Sequence, residues 1–133
     1  MQIMKWLYSI LLISLLTTSG VAGDLASSFK QAAALGDAQE KERTTQAYIH
    51  LDLMPYYQQK YSPVFLSCLA TDHPDTSPFS FVVALGPDGR VVRLYTDHET
   101  NVFACVRQTL EKDQFPHPPV SPYYFHVSMS FAK

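Results

Sequence analysis

Residues 79–96 read FSFVVALGPDGRVVRLYT, and how they fold decides the architecture of the chain. Phe79, Phe81, Val83 and Leu85 alternate with Ser80, Val82 and Ala84, the period of a strand with its aromatic face inward. Gly86-Pro87-Asp88-Gly89 follows as a turn. Pro87 presets the first turn angle, Asp88 tolerates the second, and Gly89 takes the left-handed conformation that closes a hairpin. The return strand is predicted over Arg90 to Thr96.

Working outward, Thr100 or Asn101 is placed to cap a helix running to about Gln114. Val102, Phe103, Val106, Thr109 and Leu110 share one face of it, with Cys105 at the edge and Arg107, Gln108, Glu111 and Lys112 opposite. Phe115-Pro116-His117-Pro118-Pro119 ends that helix. Tyr123 to Phe131 then alternates cleanly. Tyr123, Phe125, Val127, Met129 and Phe131 are expected inward, and Tyr124, His126, Ser128 and Ser130 outward. Upstream of the hairpin, the Ala47–Met54 region is ambiguous by period, although context favours helix. Pro55 suits a first helical turn and Pro63 is expected to break or restart the helix. Tyr57, Tyr61, Val64, Phe65 and Cys68 lie on one side of that interrupted helix. Leu25, Phe29, Ala32 and Ala33 mark a short N-terminal helix, and residues 36–46 either extend it or form a linker. The predicted class is α+β: a small antiparallel three-stranded sheet packed on helices, in the order helix-strand-strand-helix-strand.

The first residues have the three parts of a secretory signal. Lys5 supplies the charge, Trp6 to Leu16 the apolar run, and Val21-Ala22-Gly23 the small residues before a cut. An apolar core of about a dozen residues falls short of the ~20 needed to span a bilayer. The reading is therefore a cleaved signal over residues 1–23, an N-terminal helix or linker over 24–46, and one α+β domain over 47–133, located in the periplasm or secreted. No later segment is apolar enough for a membrane span. With Lys5 removed, nine basic side chains face twelve acidic ones without a Lys/Arg cluster, which argues against nucleic acid as a partner.

Cys68 and Cys105 are the only cysteines. In an exported chain a single pair most simply forms one disulfide, worth roughly 3–4 kcal/mol by loop entropy. A free reactive thiol and a metal pair are the alternatives, and neither has a flanking Cys/His motif.

The stretch 79–131 resembles the C-terminal domain of TonB-type energy transducers. It is closer still to the cysteine-bearing relatives at the ends of gliding-motility proteins. The shared features are the Leu85-Gly86-Pro87-Asp88-Gly89-Arg90-Val91 hairpin, a helix with a central Cys105, Phe-Pro-x-Pro at Phe115–Pro118, and a last strand ending in Phe131. Those relatives also carry a Cys in the preceding helix, where this chain has Cys68. The ending is also similar to that of small secreted proteins with a Cys-helix-Phe-Pro-x-Pro-Pro pattern. This chain lacks the membrane anchor and Pro-rich span of a transducer, so force transmission is not implied. The resemblance implies a mode of contact instead: an extended partner peptide pairing with the edge of the last strand.

His50, His73, His98, His117 and His126 are scattered without i,i+3 or i,i+4 pairs, so neither a metal nor any other cofactor is expected. The repeated Asp-His pairs at 72–73 and 97–98 do not bring adjacent side chains to one point. There is no nucleophile elbow and no phosphate-cradling glycine loop, which argues against an enzyme. Tyrosine is the suggestive residue type. Tyr48, Tyr56, Tyr57, Tyr61, Tyr95, Tyr123 and Tyr124 exceed what a core this small hides, and tyrosine is favoured at interfaces; the alternative is that most of them line the helix–sheet seam with their hydroxyls at the rim. The expectation is a non-enzymatic module that binds a protein partner in the cell envelope, or a second copy as a homodimer through the last strand. Its candidate contacts are Tyr123, Tyr124, His126, Ser128 and Ser130 on that strand, and Tyr56, Tyr57 and Tyr61 on the helix. The alternative is an immunity protein or inhibitor neutralising an exported toxin or hydrolase. Intact-mass measurement of the exported protein is expected to show a chain beginning at Gly23 or Asp24; a mass retaining Met1 to Gly20 would identify an anchor.

Overall fold

The computed structural model of the chain describes residues 24–132. Residues 1–23, where the sequence suggests a signal, and Lys133 lie outside the described residues. The elements are α1 (Phe29–Glu40), α2 (Arg43–Tyr48), a π-helical turn (Ile49–Leu53), α3 (Met54–Leu69), β1 (Phe79–Leu85), β2 (Val91–Thr96), α4 (Asn101–Leu110) and β3 (Tyr123–Met129). The sheet is antiparallel with order β2-β1-β3, so the hairpin's first strand lies at the centre and β3 at one edge. The mixed α+β architecture and the order helix-strand-strand-helix-strand are those expected from the sequence.

The hairpin forms for the reasons its residues suggest. Gly89 sits at φ 84, and its N–H donates to the Gly86 carbonyl at 2.9 Å. The same glycine serves a second purpose: the Phe115 N–H donates to its carbonyl, and a Cβ there would lie 2.0 Å from the Phe115 oxygen. Thr100 caps α4 by accepting from the Phe103 N–H at 3.0 Å. Val102, Phe103, Val106 and Leu110 are fully buried along the expected face, although the helix ends at Leu110, before Gln114.

Pro63 does not break its helix. It lies exposed inside α3, where the carbonyl it leaves unpaired can turn to water. Pro55 is accommodated differently. Its ring would meet the carbonyl four residues back in a regular α-helix, and the π-helical turn immediately before it widens the ladder, with Met54 N–H donating to Ile49 O. The helical path therefore runs from Arg43 to Leu69, and the ambiguous stretch around Ile49 belongs to it.

The sheet is covered on both faces, a departure from the two-layer sandwich expected. On one face Phe79, Phe81, Val83, Leu85, Tyr123 and Phe125 pack with α3 and α4. On the other, Val82, Ala84, Tyr95 and Tyr124 form a second cluster with Ala26 and Ala32. Residues 36–40 continue α1, which crosses β3 with Gly36 so close that a Cβ would lie 2.7 Å from the Tyr124 carbonyl oxygen. The segment entering α1 is pinned at Ala26. Its N–H donates to the Tyr124 hydroxyl, and its carbonyl accepts from the Tyr95 hydroxyl at 2.7 Å.

Cys68 and Cys105 form a disulfide that ties the end of α3 to the middle of α4. Thiol labelling of denatured, unreduced protein is expected to find no free thiol in residues 24–132. Replacing either cysteine by Ser is expected to lower stability in thermal unfolding by about 2–5 kcal/mol; an unchanged unfolding curve would show that the helix packing holds without the bond.

Candidate functional site

Strand β3 pairs with β1 from Phe79↔Met129 to Leu85↔Tyr123, and among the described residues no strand lies on its other side. Its backbone is therefore half used. The Tyr124 N–H donates away from β1, to the Gln39 side-chain oxygen at 2.8 Å. Because antiparallel neighbours alternate in direction, the N–H groups of His126 and Ser128 face the same way. Gln39 also donates to the Pro122 carbonyl at 2.9 Å. One side-chain amide from α1 thus imitates a single rung of a fourth strand and closes the N-terminal part of the edge, leaving the edge open from His126 onward.

A groove of about 240 Å³ runs along this edge, with Tyr123 to Ser128 as its floor. One wall comes from α1 through Gly36 and Glu40, the other from the π-turn and α3 through Ile49, Leu53, Met54 and Tyr57. The two walls exist because the two faces of the sheet are covered by different helices, both of which meet at β3. Tyr57 lies edge-on to Phe125 with ring centres 5.1 Å apart and stacks on Tyr61 at 5.4 Å. Burial holds the Tyr57 hydroxyl well above the usual phenol range. Burial, reinforced by the nearby Glu40 charge, pushes Tyr123 up to about 12. His126 Nδ1 lies 2.9 Å from the Asp37 carboxylate and its ring packs edge-on to Phe29. His126 Nε2 is buried without a hydrogen-bond partner among the described residues.

The sequence-predicted contacts are divided by this arrangement. Tyr124 does not point outward: it is buried beneath α1, because the face expected to meet solvent is the one α1 covers. Tyr123 and Tyr61 are also buried, so their side chains offer no surface to a partner. Of the seven tyrosines expected to overfill the core, Tyr48 and Tyr95 are likewise inside, Tyr48 in the cluster beneath α3 and α4 and Tyr95 in the second layer. His126 is half-buried. Ser128 and Ser130 are exposed, and Ser128 Oγ lies 3.0 Å from Ser80 Oγ. Tyr57 is the predicted helix tyrosine that lines the groove. Gly36, Gln39 and Glu40 were not foreseen as site residues. Gly36 carried a signal, since a glycine interrupting an alanine-rich helix costs about 1 kcal/mol and usually marks close packing.

Tyr56 and Tyr61 answer to a different group. Both hydroxyls donate to Asp113, at 2.6 Å each, and Lys60 Nζ donates to the same carboxylate at 2.6 Å. The Gln114 N–H adds a fourth donor at 2.7 Å. Burial opposes ionisation of Asp113, but the bonds from Lys60, Tyr56 and Tyr61 outweigh it and hold the carboxyl below its usual value. Burial also raises the Tyr61 phenol, as does its bond to Asp113. The cluster fastens α3 to the connection between α4 and β3, and its donors are spent on that. The five histidines remain dispersed, and among the described residues no group of three or more His, Cys, Asp or Glu is placed to hold a metal.

A carboxylate held below its unfolded value stabilises the fold above about pH 4 and loses that contribution as pH falls through its folded value. Asp113→Asn is therefore expected to cost about 3 kcal/mol near neutrality. Its denaturation midpoint should converge on that of the parent as pH is lowered below about 4; parallel pH profiles for the two proteins would exclude Asp113 as the source. Comparison of the chain with protein-family models, with curated proteins and with solved structures gives no match.

Proposed function

We propose that this protein is a non-enzymatic interaction module of the periplasm or cell exterior, binding an extended segment of a protein partner by strand addition to the open edge of β3. The observation that carries the reading is the groove itself, an unpaired strand edge set as the floor between two helical walls. An added strand gains affinity from main-chain hydrogen bonds and selectivity from alternate side chains entering flanking pockets. The edge from His126 to Ser130 carries no Lys or Glu and no proline, the devices that ordinarily blunt an edge against association. The TonB-like resemblance supports the same mode of contact. The buried charged cluster at Asp113 fits a structural role better than a catalytic one, because Tyr56, Tyr61, Lys60 and Gln114 all donate to it.

The test is amide exchange. Peptides selected from a random extended library by the folded protein are expected to slow exchange of the His126 and Ser128 amides by roughly tenfold or more in the complex. Ser128→Pro, if folded by circular dichroism, is expected to lose that binding, since it removes an outward donor while sparing the bonds to β1. Selected peptides that protect other surfaces and leave these two amides unchanged would exclude strand addition at β3.

A further inference from the structure

The groove does not treat its two sides alike. On the α3 side Leu53, Met54 and Tyr57 make an apolar wall, and beyond Tyr57 a second hollow is lined by Phe65, Leu66 and Met129. Leu66 is 69% exposed there. Two apolar hollows separated by one side chain suit residues i and i+2 of an added strand, about 7 Å apart on the same face. On the α1 side the lining is acidic. Glu40 borders the groove, Asp37 stands beside His126, and Asp97 lines the hollow at the far end of β3 with Ser80 and Ser128. Among the described residues no lysine or arginine lines any of these three depressions.

Successive side chains of an added strand point to opposite faces, so one set meets the apolar wall and the other meets the carboxylates. We propose that the occupant of the β3 groove is a partner segment in which apolar residues alternate with lysine or arginine. This rests on the strand-addition reading and specifies its ligand. The apolar side chains at i and i+2 fill the hollows on either side of Tyr57. The basic side chain between them reaches Glu40 and Asp37, where opposite charges at the rim raise the association rate and reject acidic competitors. A second copy of the chain does not meet this description. Its β3 carries no Lys or Arg, and edge-to-edge pairing about a two-fold axis would bring the Asp37 and Glu40 carboxylates of both α1 helices to the same face. Gln39 also withholds the N-terminal part of the edge from a second strand.

The experiment uses three synthetic peptides of equal length with the folded protein: one alternating Val or Leu with Lys or Arg, one alternating the same apolar residues with Glu, and a scramble of the first with its basic residues adjacent. Affinity is read by fluorescence anisotropy, and exchange of the His126 and Ser128 amides is read in each complex. The alternating basic peptide is expected to bind roughly tenfold more tightly than either of the others, with both amides protected. Glu40→Gln is expected to remove most of the preference for Lys over Glu while amide protection persists. Equal or tighter binding of the acidic peptide, with protection intact, overturns the charge assignment and leaves strand addition standing. Binding of the basic peptide without protection of these amides overturns both, as does the absence of binding by all three. Protection of the same amides by self-association of the free protein would make a second copy the occupant and overturn the proposal.

Discussion

A strand that is apolar on both faces must be covered on both, and β1 is such a strand. Phe81, Val82, Val83, Ala84 and Leu85 are each fully buried although they point alternately to opposite sides. Phe81, Val83 and Leu85 give the larger surface and receive α3 and α4, stapled together by the disulfide. Val82 and Ala84 give a shallower surface and receive α1, which meets it through Ala32 and crosses the neighbouring β3 at Gly36. Small residues on both partners allow the helix to come close, and the tyrosines flanking that patch use their hydroxyls to hold the backbone at Ala26.

Everything at the free edge of β3 follows from that second layer. Because α1 runs past the edge of the sheet, it supplies a wall, the Gln39 rung and two carboxylates. Because α3 does the same from the opposite face, the edge lies in a trough. The element that completes the core is thus also the one that shapes the candidate binding surface, and the cost of removing it would fall on both. The tyrosines follow the same division. Those reaching a backbone group or Asp113 are structural, and of the two without such a tie Tyr123 is buried in the groove floor while Tyr57 stands in its wall.

What could be read from the sequence was local. The Gly86–Gly89 turn, the Thr100 cap, the face of α4 and the pairing of the two cysteines depend on neighbours in the chain or on counting, and the structure agrees with each. What could not be read was tertiary. The docking of α1 leaves only a faint trace in periodicity, although Val82 and Ala84 on the supposed outer face of β1 were its visible counterpart. Pro63 reads as a breaker because propensity does not know that its helix face is solvated. Asp113 has no signature at all, since its four donors come from α3 and from the residue after it. The edge of β3 was legible as a strand, but its groove was not, because both walls are built by segments distant in sequence.

That distance has a consequence for the order of synthesis. The hydrogen bonds that join the α1 segment to β3 and the residue before it span 83 to 98 positions, from Gln39 with Pro122 to Ala26 with Tyr124. A growing chain presents α1 first and β3 last, so α1 meets Val82, Ala84 and Tyr95 before the strand that takes the rest of its contacts emerges. A chaperone that engages unfinished chains therefore meets a protein whose first helix is only partly seated, and a stop codon before Tyr123 would remove the larger share of that helix's contacts with the sheet.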